Sequence, residues 1–172
     1  MKRSMMVMAA LVAVMVASET FGTAITSKRL ASAESLANGG ANYVMIAKHS
    51  DFATTATNTA EVLTFPVKAG QGFYVLWAKV KEEFANSAAA ATNWTDSLTL
   101  IVGDGDDADQ LLVSMQMATE STEVVGKFGT TRADGVFYEA ADTIDFTFTP
   151  NTNNATSSYT SGEVWVYCKL VE

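Results

Sequence analysis

Hydrophobic and polar residues alternate with a period of two through much of this chain, most clearly in residues 141–172. There Ile144, Phe146 and Phe148 alternate with Asp145, Thr147 and Thr149. Further on, Val164, Val166, Cys168 and Leu170 alternate with Trp165, Tyr167 and Lys169. A period of two puts every second side chain on one face, as a half-buried antiparallel strand requires. The two runs are joined by Asn, Ser, Thr and Gly, which predicts a long-looped hairpin. Its second strand runs into the last residues of the chain, so it is expected to be a member of the sheet and not a tail.

The same pattern recurs upstream. Residues 43–48 are a short apolar run, followed by a Thr-, Ala- and Asn-rich loop over 52–59. Val62, Phe65 and Val67 mark a strand that ends near Pro66, where a missing backbone donor suits a strand end or an edge. After a turn at 68–72 comes the strongest central strand. Phe73, Val75, Trp77 and Lys79 are expected on one face, and Tyr74, Leu76, Ala78 and Val80 on the other. The stretch 82–95 carries four consecutive alanines and reads as a turn or two of helix or as an exposed loop. Residues 97–102 and 111–117 form the next pair of strands, and 124–128 and 136–138 follow.

No long amphipathic helix separates these strands, so the parallel crossovers of a βαβ unit are not expected. Eight or nine strands with regularly spaced turn signals predict an all-β protein, an antiparallel β-sandwich or jelly-roll-like fold of about eight strands. Residues 19–40 are small and polar, with a short helix around 30–37 that Asn38, Gly39 and Gly40 would end. The expected division is an apolar segment and linker over 1–40 and a β-sandwich domain over 41–172.

The start of the chain departs from this pattern. Lys2 and Arg3 precede an apolar run over 5–17, which gives way to Ser18 and Glu19. Two cations, about a dozen apolar residues and a small-residue exit are the parts of a secretory signal peptide. The run is shorter than the roughly 20 apolar residues a membrane-spanning helix needs, so no span is expected. The other reading is a retained arm, with Met5, Val7, Leu11 and Val14 buried against neighbouring subunits. The arm is the reading carried forward.

Composition narrows the function classes. Apolar residues make up 48% of the chain and charged residues only 17%, which excludes a disordered chain and leaves a surface poor in charge. The net charge is −8 and no basic cluster is longer than Lys28-Arg29. Phosphate neutralisation supplies most of the affinity for nucleic acid, so direct DNA or RNA binding is not expected. The single cysteine, Cys168, falls on the core face of the last strand and reads as a small buried filler.

Candidate chemistry is sparse. Asp104, Asp106, Asp107 and Asp109 lie within six residues, with Gly103 and Gly105 between and before them. Hard cations want six to eight oxygens, so these four are candidate calcium ligands. They lack the spacing and the distal glutamate of an EF-hand, and Asp and Gly are also the residues of a plain hairpin turn. A solvated turn is the expectation. His49 is the only histidine, and no Gly-x-Ser-x-Gly elbow or phosphate-binding Gly-rich loop accompanies it. No catalytic residue and no cofactor are expected. The aromatics Tyr74, Trp77, Trp94, Tyr159, Trp165 and Tyr167 suggest core or interface packing, or a platform for sugars. Trp165 and Tyr167 share the side of the last strand opposite the core set, which makes them candidates for a subunit contact.

The C-terminal layout carries a resemblance. Tyr138-Glu-Ala-Ala-Asp-Thr-Ile-Asp-Phe-Thr-Phe-Thr-Pro150, a polar loop, then Ser161-Gly-Glu-Val-Trp-Val-Tyr167 resembles small all-β structural proteins of tailed-bacteriophage virions. The strand pair over 96–117 fits the same layout, and the resemblance covers roughly residues 60–172. It implies a non-enzymatic capsid decoration (cement) or minor head protein, located in the virion and usually homo-oligomeric. Its implied partners are the major capsid protein or other shell proteins. The alternative is an exported bacterial β-sandwich, secreted or periplasmic, acting as a carbohydrate-binding module or a surface-fibre subunit.

Overall fold

A computed structural model describes residues 23–86, 98–117, 123–125, 136–150 and 154–172 of the chain. Eleven strands among them build two facing sheets. In chain order they are β1 (Thr23–Ala24), β2 (Thr26–Arg29), β3 (Tyr43–Lys48), β4 (Glu61–Val67), β5 (Gly72–Asn86), β6 (Leu98–Gly103), β7 (Leu112–Gln116), β8 (Glu123–Val125), β9 (Val136–Phe137), β10 (Asp142–Pro150) and β11 (Tyr159–Val171). One sheet has the order β1-β4-β10-β6-β7, the other β2-β3-β11-β5-β8 with β9 also on β5. We call them the first and the second sheet. All pairings are antiparallel except β1 with β4.

Set aside the short strands β1, β2 and β9, and the orders β4-β10-β6-β7 and β3-β11-β5-β8 remain. Only β6 and β7 are consecutive partners within one sheet, and every other step along these eight strands crosses the core. That is the strand order of a jelly roll, which folds two Greek keys into a double sheet. The fold expected from the alternating pattern is therefore the fold found.

The core follows from the period-two rule. The first sheet turns Leu63, Leu100, Val102, Met115, Ile144, Phe146 and Phe148 inward, all essentially without solvent exposure. The second sheet meets them with mostly smaller groups: Ala47, Val75, Ala78, Val80, Val164, Val166 and Cys168. Large side chains from one layer are set against mostly smaller ones from the other, as close packing favours. Cys168 is the expected filler, and burial pushes its thiol well up.

Three expectations need correction. The last two alternating runs are not a hairpin: β10 pairs with β4 and β6, and β11 with β3 and β5, in opposite sheets. Alternation says which face a strand buries but not which strand lies beside it. Second, β5 does not stop at Val80; it continues to Asn86, so the first part of the stretch with the alanines is strand. The alanines themselves lie outside the described residues, as does most of the run expected over 124–128.

Third, β5 does not keep one parity. Tyr167 pairs with Trp77 and Cys168 with Val75, so two steps along β5 face a single step along β11 and Leu76 is the extra residue. The bulge lets Phe73 and Val75 face the core together with Ala78 and Val80, while Leu76 and Trp77 both turn outward.

Residues 23–29, in the stretch expected to be a linker, pair into the sandwich. β1 lies along β4 of the first sheet and β2 along β3 of the second. Between them Ile25, 6% exposed, closes the open side of the core, and its N–H donates to the Thr64 carbonyl at 2.9 Å. The short helix α1 (Ser32–Ala37) follows, and Gly39 (φ +69°) and Gly40 (φ +88°) end it in the left-handed region as the Asn-Gly-Gly signal implies.

Candidate functional site

The outer face of the second sheet is where side chains gather without a sheet to cover them. β11 supplies Glu163, Trp165 and Tyr167, with β3 on one side and β5 on the other. Register sets Trp165 between Ile46 and Lys79, and Tyr167 between Val44 and Trp77. The result is a second apolar cluster of Ala41, Val44 and Tyr167, flanked by half-buried Leu30, Ile46, Leu76, Trp77 and Trp165. The β5 bulge is what brings Leu76 and Trp77 to this side.

The rings are held from within. Trp77 and Tyr167 stack with centroids 3.9 Å apart and planes 9° apart. Trp165 tilts against Tyr167 at 6.2 Å, and the Lys81 ammonium sits 4.7 Å from the Trp165 ring centre. The Trp165 indole N–H donates to the Glu163 carboxylate, which also pairs with Lys48 at 3.4 Å. One face of each ring is thus covered by this chain's own groups. Tyr167 is only 7% exposed, so it supports the face more than it meets a partner. Burial, with the Glu34 carboxylate nearby, pushes its phenol up.

Three large hydrophobic side chains of the described residues are exposed: Leu36, Phe137 and Val171. Phe137 and Val171 pair with Gly72 from its two sides, at the start of β5. Leu36 belongs to α1, whose Glu34 is close enough to Tyr167 to influence it. The Lys28 ammonium, 3.2 Å from Glu34, ties that helix to β2.

The acidic turn is built differently. Asp104 is buried, and its Oδ1 accepts the N–H groups of Asp106 and Asp107 at 3.1 and 2.9 Å. Its Oδ2 accepts the Tyr138 hydroxyl at 3.2 Å. Burial and the Asp104 charge push the Tyr138 phenol strongly up. A Cβ on Gly103 would lie 2.0 Å from the Asp107 carbonyl oxygen, so only glycine fits there. Both Asp104 oxygens therefore serve the turn, and Asp106, Asp107 and Asp109 point to solvent. Among the described residues no three His, Cys, Asp or Glu side chains are grouped to hold a metal ion.

The other singled-out residues scatter. His49 opens a 3-10 turn (His49–Asp51) at the end of β3, half-exposed. Tyr159 is in the core against Phe84. Trp94 and the arm residues Met5, Val7, Leu11 and Val14 lie outside the described residues. No helix among the described residues is long and apolar enough to cross a membrane.

Sequence reading missed two carboxylates. Glu61 is 7% exposed and accepts the N–H groups of Ala53 (3.1 Å) and Thr54 (2.7 Å) and the Thr156 hydroxyl (3.1 Å). It clamps the β3–β4 loop to the β10–β11 connection. Its signal was parity, since Glu61 shares the inward face of Leu63 and Val67. Asp145 lies on the outer face of the first sheet with a buried, unpartnered Oδ1. Burial, with Asp142 and Asp104 near it, pushes its carboxyl up, against the Thr143 hydroxyl. Comparison with protein-family models, with curated proteins and with solved structures finds no match to the chain.

Proposed function

We propose that this chain is a non-enzymatic structural protein of a virion, a capsid decoration or minor head protein that stabilises a protein shell. The observation that carries the reading is the outer face of the second sheet. A well-closed jelly roll has no internal need for Trp77, Trp165, Leu76 and Ile46 on its outside. Apolar groupings of this kind mark contacts with other proteins. Aromatic side chains anchor such contacts.

The rings also speak to the alternative of a carbohydrate-binding module. A sugar stacks on an open ring face, and here Trp77 covers Tyr167 and Lys81 covers Trp165. With one face of each ring already taken by this chain's own groups, less ring surface is left for a pyranose.

In this reading the aromatic face makes subunit contacts and the apolar run with Met5, Val7, Leu11 and Val14 anchors the protein to the major capsid protein or another shell component. The test is particle incorporation of a chain lacking residues 2–22. Loss of incorporation with the β domain still folded supports the anchored structural role. Full occupancy without the run removes the anchor from the proposal. Native protein that begins near Glu19 and is recovered from the periplasm or medium overturns the reading in favour of an exported sandwich.

A further inference from the structure

We infer that Asn38 is a site of spontaneous covalent modification, at which the Gly39 amide nitrogen attacks the Asn38 side chain and the asparagine becomes aspartate or isoaspartate. The inference goes beyond the function proposed above and stands apart from it, because it needs only one turn of backbone and water.

Asn38-Gly39 is the only Asn-Gly pair in the chain. The attacking nitrogen belongs to the glycine, and without a Cβ there the reacting atoms approach unhindered. Asn38 is the C-cap of α1 at φ −112° and ψ 36°, and Gly39 and Gly40 follow at positive φ. A Cβ built on Gly39 would meet nothing within 4 Å, so a ring has room to form on that side. The backbone N–H groups of Asn38, Gly40 and Ala41 all donate to carbonyls within this turn. Among the described residues nothing accepts the Gly39 N–H, so no hydrogen bond holds the nucleophile back.

One bond opposes the attack. The Asn38 side-chain NH2 donates to the Glu34 carbonyl at 2.7 Å and holds the side chain against α1. Attack needs that bond released and the Asn38 Cα–C bond turned, so that Cγ meets the Gly39 nitrogen. Opening here is cheap, since α1 buries none of its six residues and the Lys28–Glu34 pair that steadies it is exposed. Asn42 is held more firmly, with its side chain bonded to both the N–H and the carbonyl of Leu170. Asp104, which precedes Gly105, has both oxygens engaged.

The step balances on this chain and water. The Gly39 nitrogen gives up its proton and bonds to Asn38 Cγ. The bond from Cγ to the side-chain nitrogen breaks, ammonia leaves with that proton, and a five-membered succinimide remains. Water opens the ring at Cγ to give aspartate, or at the Asn38 main-chain carbonyl to give isoaspartate, with the main chain rerouted through Cγ. Either product removes the donor to Glu34 and puts a negative charge at the C-terminal end of α1, where the helix dipole disfavours it. Because α1 joins Leu30 to Ala41, both in the outer apolar cluster, its loosening reaches the rim of that face.

Peptide mapping by mass spectrometry on the full chain, aged in mildly alkaline buffer, tests this. Asn38 should convert first among the asparagines of the described residues, and faster as pH rises. Urea below the unfolding transition should leave its rate unchanged, since only the end of α1 has to open. Gly39→Ala should convert roughly tenfold more slowly, the change that about 1.4 kcal/mol of added barrier produces. That variant strains the cap, which alone would speed opening, so a slower conversion reports the attack itself. Conversion of Asn42, Asn58, Asn86 or Asn154 ahead of Asn38 overturns the proposal. So does an Asn38 that stays an amide until urea unfolds the domain, or an undiminished rate in Gly39→Ala.

Discussion

Trp77 and Tyr167 stack face to face at 3.9 Å on the outside of the second sheet, paired directly across β5 and β11. The contact exists because the bulge at Leu76 resets the parity of β5; without it Trp77 would share a face with Val75. Tyr167 is buried and Trp165, its neighbour on the same face, is only half-buried. The two should separate in mutagenesis. Tyr167→Ala is expected to cost about 3 kcal/mol in urea unfolding, the lower end for truncating a buried aromatic ring. Trp165→Ala should cost about 1 kcal/mol and act mainly on self-association.

Gly162 shows a different constraint. It lies at φ +131° in a bulged part of β11, and a Cβ there would be 2.3 Å from the Phe84 ring. Gly39 shares a positive φ but has nothing within 4 Å. Gly162→Ala combines backbone strain with overpacking and is expected to cost about 3 kcal/mol. Gly39→Ala should cost about 1 kcal/mol, from the left-handed backbone alone. Equal midpoints for the two variants would show that Phe84 can move aside.

These cases show what the sequence makes legible. Ile144, Phe146 and Phe148 alternate with polar residues, and the inward face of β10 follows directly. Trp77 could not be placed that way, because a bulge depends on the partner strand, and alternation within β5 is silent about Tyr167 and Cys168. The pairing of β10 and β11 with strands far away in sequence is silent for the same reason. The acidic turn was legible as a turn from its Asp and Gly content. The full apolar face was not, since Ile46, Trp77 and Trp165 come from β3, β5 and β11 and only the strand order assembles them.

Glu61 and Asp145 should bend the pH profile of stability in opposite directions. For Glu61, burial alone would raise the carboxyl, but the hydrogen bonds from Thr54, Ala53 and Thr156 outweigh it and hold it below its usual range. Its stabilisation is present above the unfolded value, about 4.3, and is lost as pH falls through the folded one. Asp145 is raised, so its ionisation costs stability at neutral pH, and that cost vanishes as pH falls below about 3.9. Glu61→Gln should lower neutral-pH stability by about 1–3 kcal/mol and make the acid-side decline shallower. Asp145→Asn should raise neutral-pH stability and make that decline steeper. Urea midpoints at pH 7 and pH 3 for the three proteins check both signs.

Asp104 is expected to act through its oxygens and not through its charge. Asp104→Asn keeps the oxygen that accepts the Asp106 and Asp107 N–H groups and turns its NH2 to the Tyr138 hydroxyl, which then accepts instead of donating, so thermal melting should change by only a few degrees. Asp104→Ala leaves those donors without a partner and should cost about 2 kcal/mol. Calcium should leave the wild-type midpoint unchanged within about a degree. A site in the folded state at 100 times its dissociation constant would add about 2.7 kcal/mol. A calcium-dependent rise that Asp104→Asn abolishes would make this turn a metal site after all.

The boundary between arm and domain can be located by deletion. Residues 23–29 pair into both sheets, and Ile25 sits at 6% exposure in the gap between β3 and β4. A chain lacking residues 2–22 retains that strap and should unfold cooperatively with an unchanged urea midpoint. Removing residues 2–30 takes away Ile25, worth roughly 1.5–3 kcal/mol by burial alone. It also strips the hydrogen-bonded partners from the outer edges of β3 and β4, leaving two strand edges open to pair with other molecules. The longer deletion is therefore expected to lower the midpoint and to aggregate on concentration, while the shorter one does neither. If both deletions unfold at the same urea concentration, Ile25 does not close the core, and the domain begins at Ala41.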